Sequence, residues 1–147
     1  MNLKVYNTQQ WSAWQIAPYW RDILKSIAYF IDKFPDDYDL ETLLSDILKG
    51  EKLLWIIVDE HENFMAHLTT QLDHLVTGVK RAVIVTLGGK GGQHLSQIIP
   101  HIEDYYKEQG ADELIIIGRR GWERSLKAHG YCVNLLEYRK QLYYGKE

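Results

Sequence analysis

The residues with the clearest chemical meaning are Gly88, Gly89, Lys90, Gly91 and Gly92. Glycines on both sides of one lysine free the backbone of Cβ obstruction, so several N–H groups can converge on one point. A helix starting just after such a turn adds its unpaired first-turn donors and the positive end of its dipole. Together these make a cradle for an anion, most often a phosphate. Other side chains able to do chemistry are scattered. His67 and Asp73 fall on one polar strand face, Arg119, Arg120 and Trp122 follow a later strand, and Tyr131 follows Gly130. Asp36, Asp37 and Asp39 cluster in a connection, but no second ligand cluster follows at metal spacing, so this is read as a capping-rich turn rather than a metal site.

The elements that must position these groups can be read from periodicity. Residues 82–87 form the short apolar, β-branched run of a strand buried on both faces. Leu95, Ile98, Ile99, Ile102 and Tyr106 make the buried stripe of the helix after the glycines, which Gly110 closes and Pro100 kinks. Upstream, residues 3–6 suggest a short first strand. Pro18 then fits the first turn of a helix carrying Trp20, Ile23, Leu24, Ile27, Ile31 and Phe34 on one face. Asp39 is a good N-cap for a second helix with the stripe Leu40, Leu43, Leu44, Ile47 and Leu48, ended by Gly50.

Residues 53–58 are a strand, 59–63 a polar hairpin loop, and 64–75 the return strand. On that strand Ala66, Leu68, Thr70 and Leu72 share one face, while Met65, His67, Thr69, Gln71 and Asp73 share the other, which reads as a solvated polar face. Residues 114–117 are a fifth strand, parallel to the fourth because a helix connects them. A short helix over 123–129 and a last strand over 131–138 follow, with Cys132 and Tyr131 as core residues of that strand.

Composition narrows the class. The chain has 147 residues, enough for one domain spanning 1–147 with a real core. Its net charge of −3, without a basic stripe, argues against nucleic acid as partner. A single cysteine excludes an internal disulfide framework, and the histidines lack ligand spacing, so no metal is expected. No apolar stretch is long enough for a membrane span and the first residues lack a signal-peptide pattern, which leads to the expectation of a cytoplasmic protein.

Two helices, an antiparallel meander, one right-handed β-α-β crossover, a short helix and a final strand define an α+β fold, with a mixed sheet and one central parallel pair. This order, over residues 18–142, resembles the GNAT (Gcn5-related N-acetyltransferase) family, the acyl-CoA N-acyltransferase fold. The resemblance implies that the loop after the fourth strand binds the pyrophosphate of acetyl-CoA through backbone amides. The matching positions here are Leu87, Gly88, Gly89, Lys90, Gly91, Gly92 and Gln93, although the Arg or Gln that usually leads the pattern is absent. Lys90 can supply a compensating point charge. The run Gly118-Arg119-Arg120-Gly121-Trp122 narrows the likeness to small GNAT-like proteins encoded by bacteriophages.

The resemblance thus implies acyl transfer from coenzyme A to an amine, on a small molecule or a protein. Its alternative is an inactive GNAT-fold component of a virion, or one that contacts host proteins, partnered by phage structural proteins. The compartment would be the host cytoplasm or the virion. A proton donor is expected at a tyrosine in the short helix, but the corresponding position here is Leu126, and the fourth strand carries no carboxylate. Substitute candidates are His67 or Asp73 as base and Tyr131 or Tyr138 as acid. Arg119 and Arg120 could grip the 3′-phosphate of coenzyme A, and Trp122 serve packing or substrate.

Overall fold

The computed structural model describes residues 2–118 and 120–143, without the side chains of Gln93 and Arg120. Strand β1 (Lys4–Asn7) leads through a short helix α1 (Ala13–Ile16) and a 3-10 turn holding Pro18 into α2 (Trp20–Lys33). Helix α3 (Leu40–Leu48) begins where Asp39 accepts hydrogen bonds from the Thr42 N–H at 3.0 Å and the Thr42 hydroxyl at 2.9 Å. Such a cap contributes about 1 kcal/mol. The sheet follows as β2 (Leu53–Val58), β3 (Phe64–His74) and β4 (Lys80–Gly89). A 3-10 stretch (Gly92–Ile98), α4 (Ile99–Glu108), β5 (Glu113–Ile116) and α5 (Glu123–Ala128) complete the ordered elements.

The strands lie in the order β1-β2-β3-β4-β5, antiparallel except for the β4–β5 pair. Helix α4 and the 3-10 stretch cover one face, where Leu95, Ile98, Ile99, Ile102 and Tyr106 pack on Trp55, Ile57, Leu68, Ala82 and Ile84. Helices α2 and α3 cover the other, where Ile23, Ile27 and Leu43 pack on Leu54, Ile56 and Val58. Each such isoleucine withdrawn from water contributes roughly 1.5–3 kcal/mol, so the two clusters clamp the meander from both sides.

Four expectations change. Residues 131–138 add no strand among the described residues, so β5 is an edge and the parallel pair lies at that edge rather than at the centre. Apolar side chains among them, including Leu135, Leu136 and Tyr138, are exposed, because apolar content alone cannot supply a ladder partner. Cys132 is consequently exposed instead of lying in the core. The α4 stripe is buried as read, yet Pro100 kinks nothing. It sits in the first turn of α4, where its missing N–H has no intrahelical partner to lose, and the turns before it are 3-10 rather than α. Finally, the polar face of β3 is not solvated along its whole length: His67 and Thr69 are fully buried beneath α2.

One irregularity shapes the far end of the sheet. Thr69 pairs with Thr86 but Thr70 with Ile84, so Val85 is an extra residue on β4. This bulge reverses the strand's alternation. Ala82 and Ile84 face α4 before it, and Leu87 faces α4 after it, while Thr86 and Gly88 turn to α2.

Candidate active site

Strand β4 outruns its parallel neighbour. Pairing with β5 stops at Ile84 and Ile116, whereas pairing with β3 continues to Gly89 opposite Ala66. Residues 85–89 therefore border a notch on the β5 side, with no strand partner there among the described residues. Antiparallel alternation fixes which amides face the notch. Lys90 N–H donates to the Met65 carbonyl at 2.7 Å, marking that pair as hydrogen-bonded. The pairs Ala66–Gly89 and Leu68–Leu87 are then the alternate, non-bonded kind, so the N–H groups of Gly89 and Leu87 point away from β3 into the notch.

The glycine turn follows directly. Gly89, Gly91 and Gly92 have φ of +142°, +115° and +51°, three backbone states that glycine reaches without a Cβ penalty. A Cβ on Gly89 would overlap the Met65 carbonyl oxygen and come within 2.6 Å of Ala66 Cα, so β3 and β4 meet here only because the side chain is absent. Gly92 has nothing within 4 Å of its virtual Cβ, leaving the outer side of the turn open. The first 3-10 bond runs from His94 N–H to the Gly91 carbonyl, so the amides of Gly92 and Gln93 precede the helix's own ladder. The cradle read from the sequence is thus built from a strand end and a 3-10 start, with Lys90 exposed beside it.

A groove of about 340 Å³ runs along the α3 side of β4 and β5 up to the notch, floored by Val83, Val85, Ile115 and Ile117. Asp37, Tyr38, Asp39 and Asp73 contribute to its rim. A larger cavity of about 520 Å³, lined by Leu53, Tyr105 and Gln109, opens near the other end of β4, away from the glycine turn. The smaller groove is the one adjacent to the outward amides. Tyr38 reaches towards the bulge, its hydroxyl 3.5 Å from the Val85 carbonyl, and burial followed by the nearby Asp37 raises its pKa. Nothing in the spacing of residues 34–39 signals this tyrosine, because its importance comes from a bulge on a strand 47 residues away.

The expected catalytic side chains are not brought together. His67 is fully enclosed, with Nδ1 2.6 Å from Ser26 Oγ and Nε2 3.0 Å from Thr86 Oγ1, and burial lowers its pKa to about 4. It is a neutral core residue with no path to solvent. Asp73 lies opposite Arg81, four residues before Val85, which is about 13 Å along the strand, and accepts a hydrogen bond from Gln71. Tyr131 packs against the α4 side of the sheet and donates to Glu103 at 2.7 Å; burial, then that carboxylate, raises its pKa. Trp122 packs on the same core, beside Gly118, and Leu126 is part of it too. Arg119 and the side chains of Arg120 and Gln93 lie outside the described residues. Among the described residues no cluster of His, Cys, Asp and Glu could hold a metal, and no helix is long and apolar enough to cross a membrane.

No protein-family model matches the sequence, and no curated protein does. Solved structures do. Glucosamine-6-phosphate N-acetyltransferase from Arabidopsis thaliana aligns with a TM-score of 0.63 at 11% identity, over 97% of this chain and 100% of that one. An aminoglycoside acetyltransferase from an uncultured soil metagenomic sample gives 0.63 at 14%, over 96% and 97%. A predicted acetyltransferase with acetyl-CoA from Clostridium acetobutylicum gives 0.62 at 12%, over 94% and 96%. At these identities the likeness is one of fold: the chain has the α+β architecture of the GNAT acetyltransferases.

Proposed function

We propose that this chain is a GNAT-type acyltransferase that moves an acetyl or acyl group from coenzyme A to an amine. The observation behind this reading is that the bulge, the notch-facing amides and the open glycine turn are consecutive, within residues 85–92. The turn fits a pyrophosphate because bare amides at Gly92 and Gln93 precede the helix ladder and open space lies beside Gly92. Lys90 adds a positive charge, and Arg119 and Arg120 are the candidates to meet the 3′-phosphate.

When bound, acetyl-CoA supplies an acyl group activated as a thioester. The N–H groups of Leu87 and Gly89 are placed to donate hydrogen bonds to the carbonyl oxygens of the pantetheine arm and the acyl group, polarising the latter. The acceptor amine enters along the groove, where Tyr38 is the candidate to protonate the departing sulfur. Asp73, on the rim about 13 Å along the strand from Val85, is placed to attract the cationic amine rather than to take its proton at the thioester. His67 takes no part in proton transfer, since its ring is enclosed.

A second reading has its own observation. Leu126 occupies the place of the family's usual acid and is packed into the core, and residues 82–87 carry no carboxylate. A protein of this build could bind coenzyme A without transferring, and act through contacts with other proteins, in a phage particle if the narrower sequence likeness holds.

Calorimetric titration with acetyl-CoA decides between them. The native protein is expected to bind. Gly91→Asp, which puts a side chain at φ +115° within 3.0 Å of Leu95 and a negative charge in the cradle, is expected to weaken binding tenfold or more, about 1.4 kcal/mol. Turnover with a panel of amines supports the enzyme, and binding without turnover supports the second reading. No binding by the folded native protein rules out the enzyme.

A further inference from the structure

Ser26 on α2, His67 on β3 and Gly88 on β4 meet at one buried point, beneath the notch. Ser26 Oγ lies 2.6 Å from His67 Nδ1 and 2.8 Å from the Gly88 carbonyl oxygen. His67 Nε2 lies 3.0 Å from Thr86 Oγ1, which is itself 2.6 Å from Thr69 Oγ1. All four side chains are buried, and no buried side-chain polar atom among the described residues lacks a partner.

Donor and acceptor counting gives this chain a direction. The Gly88 carbonyl only accepts, and Ser26 has one proton, so the serine donates to Gly88. His67 Nδ1 must then carry a proton and donate it to Ser26 Oγ. A neutral ring leaves Nε2 bare, to accept from Thr86, whose oxygen accepts in turn from Thr69. The order is Thr69 to Thr86 to His67 to Ser26 to Gly88, and the opposite tautomer would leave Ser26 with one proton for two acceptors.

The end of that chain is the peptide joining Gly88 to Gly89. A trans peptide is planar, with its carbonyl and N–H opposed, so holding the Gly88 oxygen on one side holds the Gly89 N–H towards the other. The β3 ladder already turns the Gly88 carbonyl towards the His67 backbone. Since neither glycine has a side chain to fix the plane by packing, the Ser26 hydroxyl is the second hold on that oxygen. Gly88 is also pressed from the α2 side, where its virtual Cβ would lie 3.3 Å from the His67 ring and 3.4 Å from Phe30. We propose that Ser26 and His67 are positioning residues, whose directed hydrogen-bond chain reinforces the strand ladder in holding the Gly89 amide towards the acyl-donor notch. This rests on the reading of the notch as the coenzyme A site, but the aim of the amide is a property of the protein alone.

The test is NMR on the full-length native protein with Ser26→Ala, Ser26→Thr and Thr86→Val variants, combined with acetyl-CoA titration. Native His67 is expected as the Nδ1–H tautomer in long-range 15N–1H correlation. Ser26→Ala is expected to shift the Gly89 amide resonance and weaken acetyl-CoA roughly tenfold, about 1.4 kcal/mol, while Ser26→Thr restores both. Thr86→Val should move the same resonance in the same direction from the far end of the chain. An Nε2–H tautomer in the native protein overturns the proposal without any variant. So does a Ser26→Ala protein whose melting temperature drops while its Gly89 amide and acetyl-CoA affinity stay native. If the native protein binds no acetyl-CoA, the functional reading fails, and the tautomer and the Gly89 resonance still decide the positioning chain.

Discussion

Gly89→Ala is expected to cost at least about 3 kcal/mol of stability, from steric overlap and a backbone state closed to alanine acting together. The added Cβ would strike the Met65 carbonyl oxygen and lie 2.6 and 2.7 Å from Ala66 Cα and Cβ, atoms with no rotamer to escape through. At φ +142° the residue itself is also strained. Relief requires β4 to lift from β3, which breaks the Lys90-to-Met65 hydrogen bond and swings the Gly89 amide. Stability and acetyl-CoA affinity should therefore fall together. Gly92→Ala is the control, because φ +51° lies in the left-handed region and the space is open, so about 1–2 kcal/mol is expected. Urea unfolding of both variants checks this, and equal losses would show that the β3–β4 contact yields.

The second large effect is an acid-side loss of stability set by His67. Its ring meets Ser26, Phe30 and Thr86, none of them charged, and burial lowers its pKa from 6.5 to about 4. The unfolded chain takes up this proton below about pH 6.5, and the folded one refuses it until about pH 4. The stabilisation is therefore complete above pH 6.5 and is lost as pH falls towards 4, by up to about 3 kcal/mol. Asp46, Asp59 and Glu62, held low mainly by hydrogen bonds from Lys52, Asn63 and Lys4 respectively, begin to erode stability only in the carboxylate range. Unfolding free energies measured from pH 7.5 to 4.5 should slope downwards in the native protein. The slope should flatten in His67→Gln, whatever that variant's absolute stability, and an unchanged slope would assign the loss elsewhere.

What the sequence revealed follows from the range of the forces concerned. Strand β2, the Asp39 cap, the α4 stripe and the glycine turn depend on neighbours a few residues apart, and each is where periodicity and turn chemistry put it. The face bearing His67 is a different case. Its alternation with apolar residues is that of a half-exposed strand, and only hydroxyls from positions 26 and 86, brought in by separate elements, make its burial tolerable. Residues 131–138 fail in the converse way, having a strand's apolar content but no ladder among the described residues. The candidate site was legible where it is backbone and illegible where it is side chain. Glycines announce exposed amides locally, whereas Tyr38 becomes relevant only once Val85 bulges towards it.

That bulge also determines where this chain can change length. Removing Val85 would let Ile84 and Thr86 follow each other in simple alternation, leaving Thr86 and Gly88 on the α2 side and Leu87 on the α4 side. His67 would keep its partner, while the groove would lose the residue that Tyr38 reaches. A residue gained or lost between Thr86 and Gly89 has no such slack, because it reverses the face that every later residue up to the glycine turn meets. The connection between β3 and β4, exposed around Val76 to Gly78, carries no such constraint on parity. Insertions and deletions among relatives of this chain should accordingly accumulate in that hairpin and be purged from residues 86–89.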